Sequence, residues 1–152
     1  MPVVCTLFSV TEEDVRAPAD VTLSPMNERT SKVGVMREPH VVELGTAWGP
    51  LHEALGAYPG DHPLGFLVAG GASFEQLEIG EHSSGRYYDP ARTVKLLAAV
   101  ARVTDDRIIR TVAAKQLTTL GIGELTRKLT KVRVFLAEAV EADRGIVVHH
   151  LS

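Results

Sequence analysis

The first apolar segment of the chain is hydrophobic at both alternating sets of positions. Val3–Val10 carries apolar side chains on either side of an extended backbone. A strand in the middle of a sheet shows this pattern, because both of its faces are covered. Ile146–Leu151 closes the chain as another strand, and strands from opposite ends of a chain often pair. We therefore expect these two strands to lie side by side at or near the centre of one sheet.

The middle of the chain predicts a helix and then a strand. Thr46 is a suitable N-cap for a helix that runs to about Tyr58. One stripe of this helix faces the core, with a spacing of i, i+3, i+4 and i+7: Trp48, Leu51, His52 and Leu55. The apolar run Leu64–Ala69 lies between Pro63 and Gly70 and is too short for a helix, so we interpret it as a central strand.

The second half of the chain predicts three helices. Asp89 caps the first, which begins at Pro90, and its inward stripe is expected at Val94, Leu97, Ala98 and Ala101. Thr104 starts the second, which buries Ile108, Ile109, Val112 and Leu117. The third runs from about Glu124 to Asp143 and buries Leu125, Leu129, Val132, Leu136 and Ala139. Gly145 is expected to supply a left-handed exit from this helix.

Strands early in the chain, followed by consecutive helices, favour an α+β fold. At 152 residues with 45% hydrophobic residues, the chain has the size and core of one domain, residues 1–152. We expect a mixed sheet that contains both terminal strands and Phe66–Ala69, covered by helices mainly from the second half of the chain. Ala17–Pro39 is rich in polar residues and proline and predicts a long loop, which is either functional or mobile.

Composition and charge exclude several classes of function. Sixteen basic residues against 19 acidic ones give a formal charge of -3, so no broad positive surface is available for nucleic acid. No apolar run approaches the roughly 20 residues that cross a bilayer. The N-terminus lacks the pattern of a signal peptide, and Cys5, the one cysteine, has no partner for an intramolecular disulfide. We expect a cytoplasmic protein.

His52 is the first candidate for chemistry, because an imidazole on an apolar stripe has its protonation set by burial and by neighbouring charges. The ordinary structural alternative is a core histidine that braces the helix by hydrogen bonding to a backbone carbonyl. The absence of a visible partner in the sequence favours the brace over a catalytic base.

Glu81–Tyr88 concentrates the groups that acid-base catalysis or anion recognition needs. In a catalytic interpretation His82 or His52 acts as base, Glu81 acts as acid, and Arg86 or Tyr87 holds an oxyanion. An exposed polar turn that leads into a strand has the same composition, and we favour that alternative.

Three further features carry no cofactor or metal prediction. Gly70-Gly71 lacks the residues of a phosphate-binding or dinucleotide-binding loop, so close backbone approach explains the glycines better. His149 and His150 are neighbours on a strand and point to opposite faces, which disfavours binding of one metal ion by both. Cys5 lies within a predicted strand, where a thiol is usually a small core residue. We expect neither a cofactor nor a bound metal.

The sequence resembles the YfbM-like family of small bacterial proteins. The resemblance rests on Trp48-x-x-Leu51-His52, then Pro63-Leu64, then Gly70-Gly71, and extends to the step Arg86-Tyr87 before a helix that begins with proline. It implies an α+β domain of unknown function and a face of interest around Trp48, Arg86 and Tyr87, which we expect to bind a ligand. Related chains usually carry more helix across residues 17–39, and Glu81 and His82 match nothing in the family pattern.

Two functional hypotheses follow. The first is a small binding or interaction protein, an adaptor or a toxin-neutralising protein, whose partner is a protein or a small molecule. The second is a small cofactor-free enzyme, a cyclase, isomerase or hydrolase, that uses His52, Glu81 and His82. We favour the first, because no pair of catalytic residues stands at a diagnostic spacing. Both hypotheses expect Trp48, His52, Arg86 and Tyr87 to lie close together.

Overall fold

A computed structural model describes residues 3–11, 41–73, 83–115 and 121–151. Within these ranges the strands are β1 Val4–Val10, β2 Val41–Gly45, β3 Ala72–Ser73, β4 Ser83–Tyr88 and β5 Gly145–Leu151. The α-helices are α1 Trp48–Ala54, α2 Pro90–Ala101, α3 Asp105–Lys115 and α4 Ile122–Glu141, and a single 3-10 turn spans Pro63–Gly65. The predicted loop at 17–39, together with Glu81, His82 and Leu117, lies outside the described residues.

The two terminal strands form the centre of the sheet, as their sequences predict. The strand order is β2-β1-β5-β4-β3. β1 and β5 pair antiparallel along their whole length, from Val4 opposite Leu151 to Val10 opposite Gly145. Leu7 and Phe8 point to opposite faces of β1 and both are buried. The apolar residues on both sides of this strand therefore reflect a sheet that is covered on both faces.

The expected α+β class is confirmed, with both terminal strands in one sheet, but all pairs between the described strands are antiparallel and the sheet is not mixed. Tyr88, the last residue of β4, lies opposite Ile146 near the start of β5. The three helices between these strands thus return the chain to the end of the sheet that it left. This return makes the two neighbouring strands antiparallel rather than parallel.

The helices of the second half cover one face of the sheet. The predicted inward residues of α4 are all buried, at Leu125, Leu129, Val132, Leu136 and Ala139. Thr104 Oγ1 accepts a hydrogen bond from the Arg107 amide at the start of α3, as predicted. Ile108 and Val112 of α3 are buried, whereas Ile109 is 41% exposed. None of the described helices has both the length and the apolar character needed to cross a membrane.

The predicted inward stripe of α2 is wrong. The buried residues are Thr93, Leu96 and Val100, whereas Val94 is 50% exposed. Asp89 does cap the helix, accepting a hydrogen bond from the Arg92 amide. Thr93 can face inward because its hydroxyl donates to the Asp89 carbonyl at 2.8 Å. Apolar residues occur on both sides of this helix, so periodicity alone selected the wrong side.

The predicted strand at Leu64–Ala69 is also wrong. The 3-10 turn is capped by the His62 imidazole, which accepts from the Leu64 amide. Further turns follow, with the Val68 and Ala69 amides both donating to the Gly65 carbonyl. A short buried turn and a short buried strand have the same apolar composition, so the pattern does not distinguish them. The carbonyl groups of residues 66, 69 and 70 in this segment accept hydrogen bonds from Arg86 and Tyr88 of β4.

Two predicted helix boundaries also differ. α1 is shorter than expected, and Ala47 precedes it without a side-chain cap, in place of the predicted Thr46 cap. At the end of α4 the left-handed residue is Asp143, with φ +54°, and not Gly145. Gly145 lies in β5, where an added Cβ would come within 2.4 Å of the Tyr88 carbonyl oxygen. The glycine is needed for close approach of the two strands.

Candidate functional site

Arg86 ties the turn at residues 66–70, in which Phe66 and Leu67 are buried and Val68 is 46% exposed, to strand β4. Its Nη2 donates to the Phe66 carbonyl at 2.8 Å, and its Nη1 donates to the Gly70 carbonyl at 3.1 Å. Nη1 also donates to the Tyr88 hydroxyl at 3.3 Å. The side chain is half-buried, and burial lowers the pKa of Arg86, opposed by its contact with Tyr88. The guanidinium is thereby committed to holding the scaffold.

Tyr88 shares a face of β4 with Arg86, because residues two apart on a strand point the same way. Its hydroxyl donates to the Ala69 carbonyl at 2.8 Å. Burial raises the pKa of Tyr88, opposed by the positive charge of Arg86, so the phenol is neutral at pH 7. Tyr87 lies on the other face of the strand, where its ring packs against Gly145. Tyr88, rather than the predicted Tyr87, is the partner of Arg86.

Trp48 contacts the sheet through its terminal strands. The indole Nε1 donates to the Val3 carbonyl at 2.7 Å. The indole ring also packs against His150 with 4.9 Å between the ring centroids. His150 is in turn influenced by the charge of Arg86. His150 is thus in ring contact with Trp48 and feels the charge of Arg86, and the proximity of Trp48 to Arg86 stays a prediction.

His150 and Cys5 lie opposite each other on β5 and β1 and are both neutral. Burial, aided by the charges of Arg86 and His149, lowers the pKa of His150 to about 4, while a hydrogen bond with the Leu67 backbone opposes the change. Burial raises the pKa of the Cys5 thiol to about 12. A neutral buried thiol is a poor nucleophile, as the sequence predicts for this residue.

His52 lies on the part of α1 that is near α3. Burial lowers the pKa of His52, with Glu53 raising it and Lys115 lowering it further. Glu53 and Lys115 form an ion pair of 3.1 Å that joins the two helices. The His52 Nδ1 atom is buried and has no hydrogen-bond partner. The described contacts thus associate His52 with a structural ion pair, and its proximity to Arg86 stays a prediction.

A pocket open to solvent lies on the other side of Tyr88. Its volume is about 250 Å³ and it is lined by Asp61, Pro63, Tyr88, Arg92, Lys95 and Leu96. We call it the Tyr88 pocket. The strand β4, the first turns of α2 and the chain just before the 3-10 turn each supply part of its wall. The pocket therefore joins three segments that are far apart in the sequence.

Two charged groups of the Tyr88 pocket, Arg92 and Asp61, contact each other directly. Arg92 Nη2 donates to both carboxylate oxygens of Asp61, at 2.5 and 2.6 Å. The guanidinium carbon of Arg92 lies 5.4 Å from the centre of the Tyr88 ring, a cation-π distance. Asp61 Oδ1 also accepts from the Gly71 amide at 3.3 Å. The aromatic ring and the carboxylate together orient the guanidinium at the pocket.

Gly70 and Gly71 allow Asp61 and Tyr88 to lie close to the backbone of residues 70 and 71. Gly70 and Gly71 both have positive φ, at +95° and +74°. A Cβ on Gly70 would lie 2.6 Å from Asp61 Oδ1 and 2.7 Å from the Tyr88 hydroxyl. Close backbone approach, the predicted reason for this glycine pair, is confirmed. The approach brings Asp61 within reach of α2.

Comparison with solved structures identifies the fold. The chain is similar to the crystal structure of YfbM from Escherichia coli, a protein of unknown function, with a TM-score of 0.68 over 97% of this chain and 99% of that one. The chain has a YfbM-like fold. Sequence identity is 11%, so the likeness concerns the fold alone. The resemblance inferred from the sequence is confirmed at this level, and no protein-family model and no curated protein matches the chain.

Most residues that line the Tyr88 pocket of this YfbM-like fold are not among the site residues that the sequence predicts. Arg92 and Lys95 are one helical turn apart on α2, shortly after the polar segment Glu81–Tyr88. That spacing of two basic residues is a signal that the sequence does contain. Asp61 is 31 residues from Arg92, and no local pattern pairs them. Glu81 and His82, the predicted acid and base, are outside the described residues.

Proposed function

We propose that the chain is a small cytoplasmic binding protein and that its ligand is a small molecule held in the Tyr88 pocket. The observation that carries this proposal is the placement of Arg92 and Lys95 in one open pocket. Concave sites with a few convergent polar groups are the usual positions of ligands. Of the two expected classes of partner, a protein or a small molecule, a concave site of this size supports the second.

Binding rather than catalysis is supported by the state of the polar groups. A general acid or base needs a titratable group that is free to exchange a proton with the substrate. The Tyr88 hydroxyl already donates to Ala69, and burial favours its neutral form. The Asp61 carboxylate is paired with Arg92 and the Gly71 amide. These groups orient a ligand more readily than they transfer protons.

The size of the pocket limits the ligand. Pockets that bury a drug-sized molecule have volumes of about 300 to 1,000 Å³. The Tyr88 pocket, at about 250 Å³, lies below that range. A ligand of metabolite size, or a small end of a larger one, fits this volume.

A ligand-observed NMR screen of small acids, amines, sugars and alcohols tests the proposal. Lys95→Trp places an indole at the mouth of the pocket, and Lys131→Trp makes the same change on an exposed position of α4 that does not line it. We expect compounds whose saturation-transfer signal is lost with Lys95→Trp and kept with Lys131→Trp. A screen with no binders, or binders that Lys95→Trp leaves unchanged, would contradict the proposal.

One observation favours the enzyme as a second candidate. The lowered pKa of His52 keeps its imidazole neutral at pH 7, and its Nδ1 has no hydrogen-bond partner. A neutral imidazole is able to accept a proton. His52→Ala separates the two roles: a structural brace predicts a lower melting temperature, whereas a base predicts a normal melting temperature and the loss of turnover. In that candidate Glu81 and His82 would supply the further acid-base groups.

A further inference from the structure

Resting on the proposed function, we infer that the ligand of the Tyr88 pocket is a small oxyanion, a carboxylate or a phosphate. Arg92 and Lys95 hold it, and it competes with Asp61 for the guanidinium. Three features of the pocket indicate a ligand of this charge and chemistry.

The first feature is a guanidinium with unused donors. Arg92 engages Asp61 through Nη2 alone. Its Nε and Nη1 donate to no group among the described residues. A planar guanidinium presents pairs of N–H groups that match the two oxygens of a carboxylate or phosphate. Because the Tyr88 ring and the first turn of α2 already position this side chain, little of its freedom remains to be lost on binding.

The second feature is an unpaired cation beside the first. Lys95 is exposed and lines the same pocket one helical turn after Arg92. No described residue forms an ion pair with it. An ammonium group at this place adds a point charge that an oxyanion satisfies. Two cations one turn apart are able to hold one anionic group between them.

The third feature is the net charge of the wall. Arg92 and Lys95 together carry two positive charges against the single negative charge of Asp61. Arg86 adds a third positive charge behind the wall, in contact with the Tyr88 hydroxyl. The pocket is therefore positive within a protein whose formal charge is -3. A local field of this sign concentrates anions and repels cations.

Displacement of Asp61 from Arg92 costs little. The two side chains are 65% and 38% exposed, and ion pairs this exposed contribute little stability. Asp61 Oδ1 also keeps a second partner, the Gly71 amide. The carboxylate therefore acts as a weak internal occupant of the site, and removing its charge should favour the external anion.

Four probes of matched size test the class of ligand by titration, with backbone amide NMR shifts as the readout. Inorganic phosphate and succinate are the anions, glycerol is the neutral probe and putrescine is the cation. We expect both anions to bind at the amides of Gly71, Arg92 and Lys95, with affinity that falls as sodium chloride is added. Glycerol and putrescine should not shift these amides. The tighter of the two anions distinguishes a phosphorylated ligand from a carboxylic acid.

Three variants are expected to change the affinity for the anion in three different ways. Lys95→Glu should weaken anion binding by at least about tenfold, since it replaces an attraction with a repulsion. Lys131→Glu makes the same charge change on α4, away from the pocket, and should leave the affinity unchanged. Asp61→Asn should strengthen anion binding by about fivefold, because the asparagine oxygen still accepts from Gly71 while the competing charge is gone. Melting temperatures verify that each variant is folded.

The outcomes separate this inference from the proposed function. Binding of glycerol or putrescine at the pocket without the anions would overturn the oxyanion and leave the pocket as the binding site. Weaker anion binding by Asp61→Asn would also overturn it, since Asp61 would then be a contact of the ligand. Shifts that Lys95→Glu and Lys131→Glu reduce equally would assign the anion to the surface in general. If no probe binds, the ligand is not a small oxyanion. The proposed binding function is contradicted only if the wider ligand-observed NMR screen also finds no compound that binds in the pocket.

Discussion

The indole ring of Trp48 lies edge-on against the imidazole ring of His150, with 4.9 Å between the ring centroids. Trp48 is the one tryptophan of the chain, so its fluorescence reports on this neighbour. Burial and the charge of Arg86 lower the pKa of His150 to about 4. The imidazole is therefore neutral at pH 7 and becomes charged only in acid.

The first prediction is a change of Trp48 fluorescence with a midpoint near pH 4, because a protonated imidazole quenches a neighbouring indole. The measurement is an emission titration of the folded protein. His150→Gln should abolish the transition. His149→Gln should keep it, since His149 lies on the other face of the sheet near Phe8. A transition that survives His150→Gln would assign the change to another group.

The same residue predicts how stability depends on pH. The folded pKa of His150 lies below its ordinary value of 6.5, so the unfolded chain binds the proton first. The contribution of His150 is fully present above pH 6.5 and is lost as the pH falls from about 6.5 to about 4. The loss is at most about 3 kcal/mol. Urea unfolding of the wild type and His150→Gln across this range should give a shallower dependence for the variant; parallel curves would contradict it.

Arg86→Met should lower the free energy of unfolding by about 2 kcal/mol or more, because the Phe66 and Gly70 carbonyls and the Tyr88 hydroxyl lose their donor. Arg102→Met is the matched control, since Arg102 is exposed at the end of α2. The control should change stability by less than about 0.5 kcal/mol. Equal effects of the two variants in urea unfolding would show that the scaffold does not depend on Arg86.

The sequence predicted the parts of the fold whose pattern has one structural interpretation. β1 is apolar on both faces and is central, and α4 repeats its apolar residues on one face over about four turns, from Leu125 to Ala139. Phe66–Ala69 is an apolar run that suits either a strand or a turn. The choice depends on tertiary contacts such as the hydrogen bond from Arg86 to the Phe66 carbonyl. α2 has apolar residues on both sides, so its pattern does not decide which side faces the core. Thr93 faces inward with its hydroxyl bonded to the Asp89 carbonyl, and Val94 therefore faces outward.

The candidate site was predictable only where its residues are close in sequence. Arg86 stands out in the polar segment Glu81–Tyr88, and strand alternation places Tyr88, rather than Tyr87, on the same face as Arg86. Asp61 pairs with Arg92, which lies 31 residues later in the chain. The segment between them contains the turn that the sequence predicts as a strand. A pairing of that kind follows from the tertiary fold, and no local pattern contains it.

Leu136→Ala should lower the free energy of unfolding by about 2 to 5 kcal/mol, because it removes a fully buried side chain from the core. Val134→Ala, two residues earlier on α4, makes a similar truncation at a position that is 52% exposed. It should cost less than about 0.5 kcal/mol. Chemical denaturation of both variants checks the assignment, and a Leu136 variant as stable as the Val134 variant would remove Leu136 from the core.

Gly145→Ala should destabilise the sheet by about 1 to 3 kcal/mol, because the new Cβ would meet the Tyr88 carbonyl oxygen at 2.4 Å and push β4 away from β5. Gly123→Ala is the control, since Gly123 lies in α4 with open space around it. That change should stabilise the protein by up to about 1 kcal/mol, because alanine favours a helix. Thermal melts of the two variants should therefore move in opposite directions, and a shift in the same direction would contradict the close approach.

The position of a bound anion shows whether the Tyr88 pocket is the binding site. Backbone amide shifts of the wild-type protein are mapped during titration with phosphate and with succinate. We expect the largest shifts at Gly71, Arg92 and Lys95, and we expect Lys95→Trp to abolish them. Largest shifts around Trp48 and His52, with the pocket amides unchanged, would contradict it.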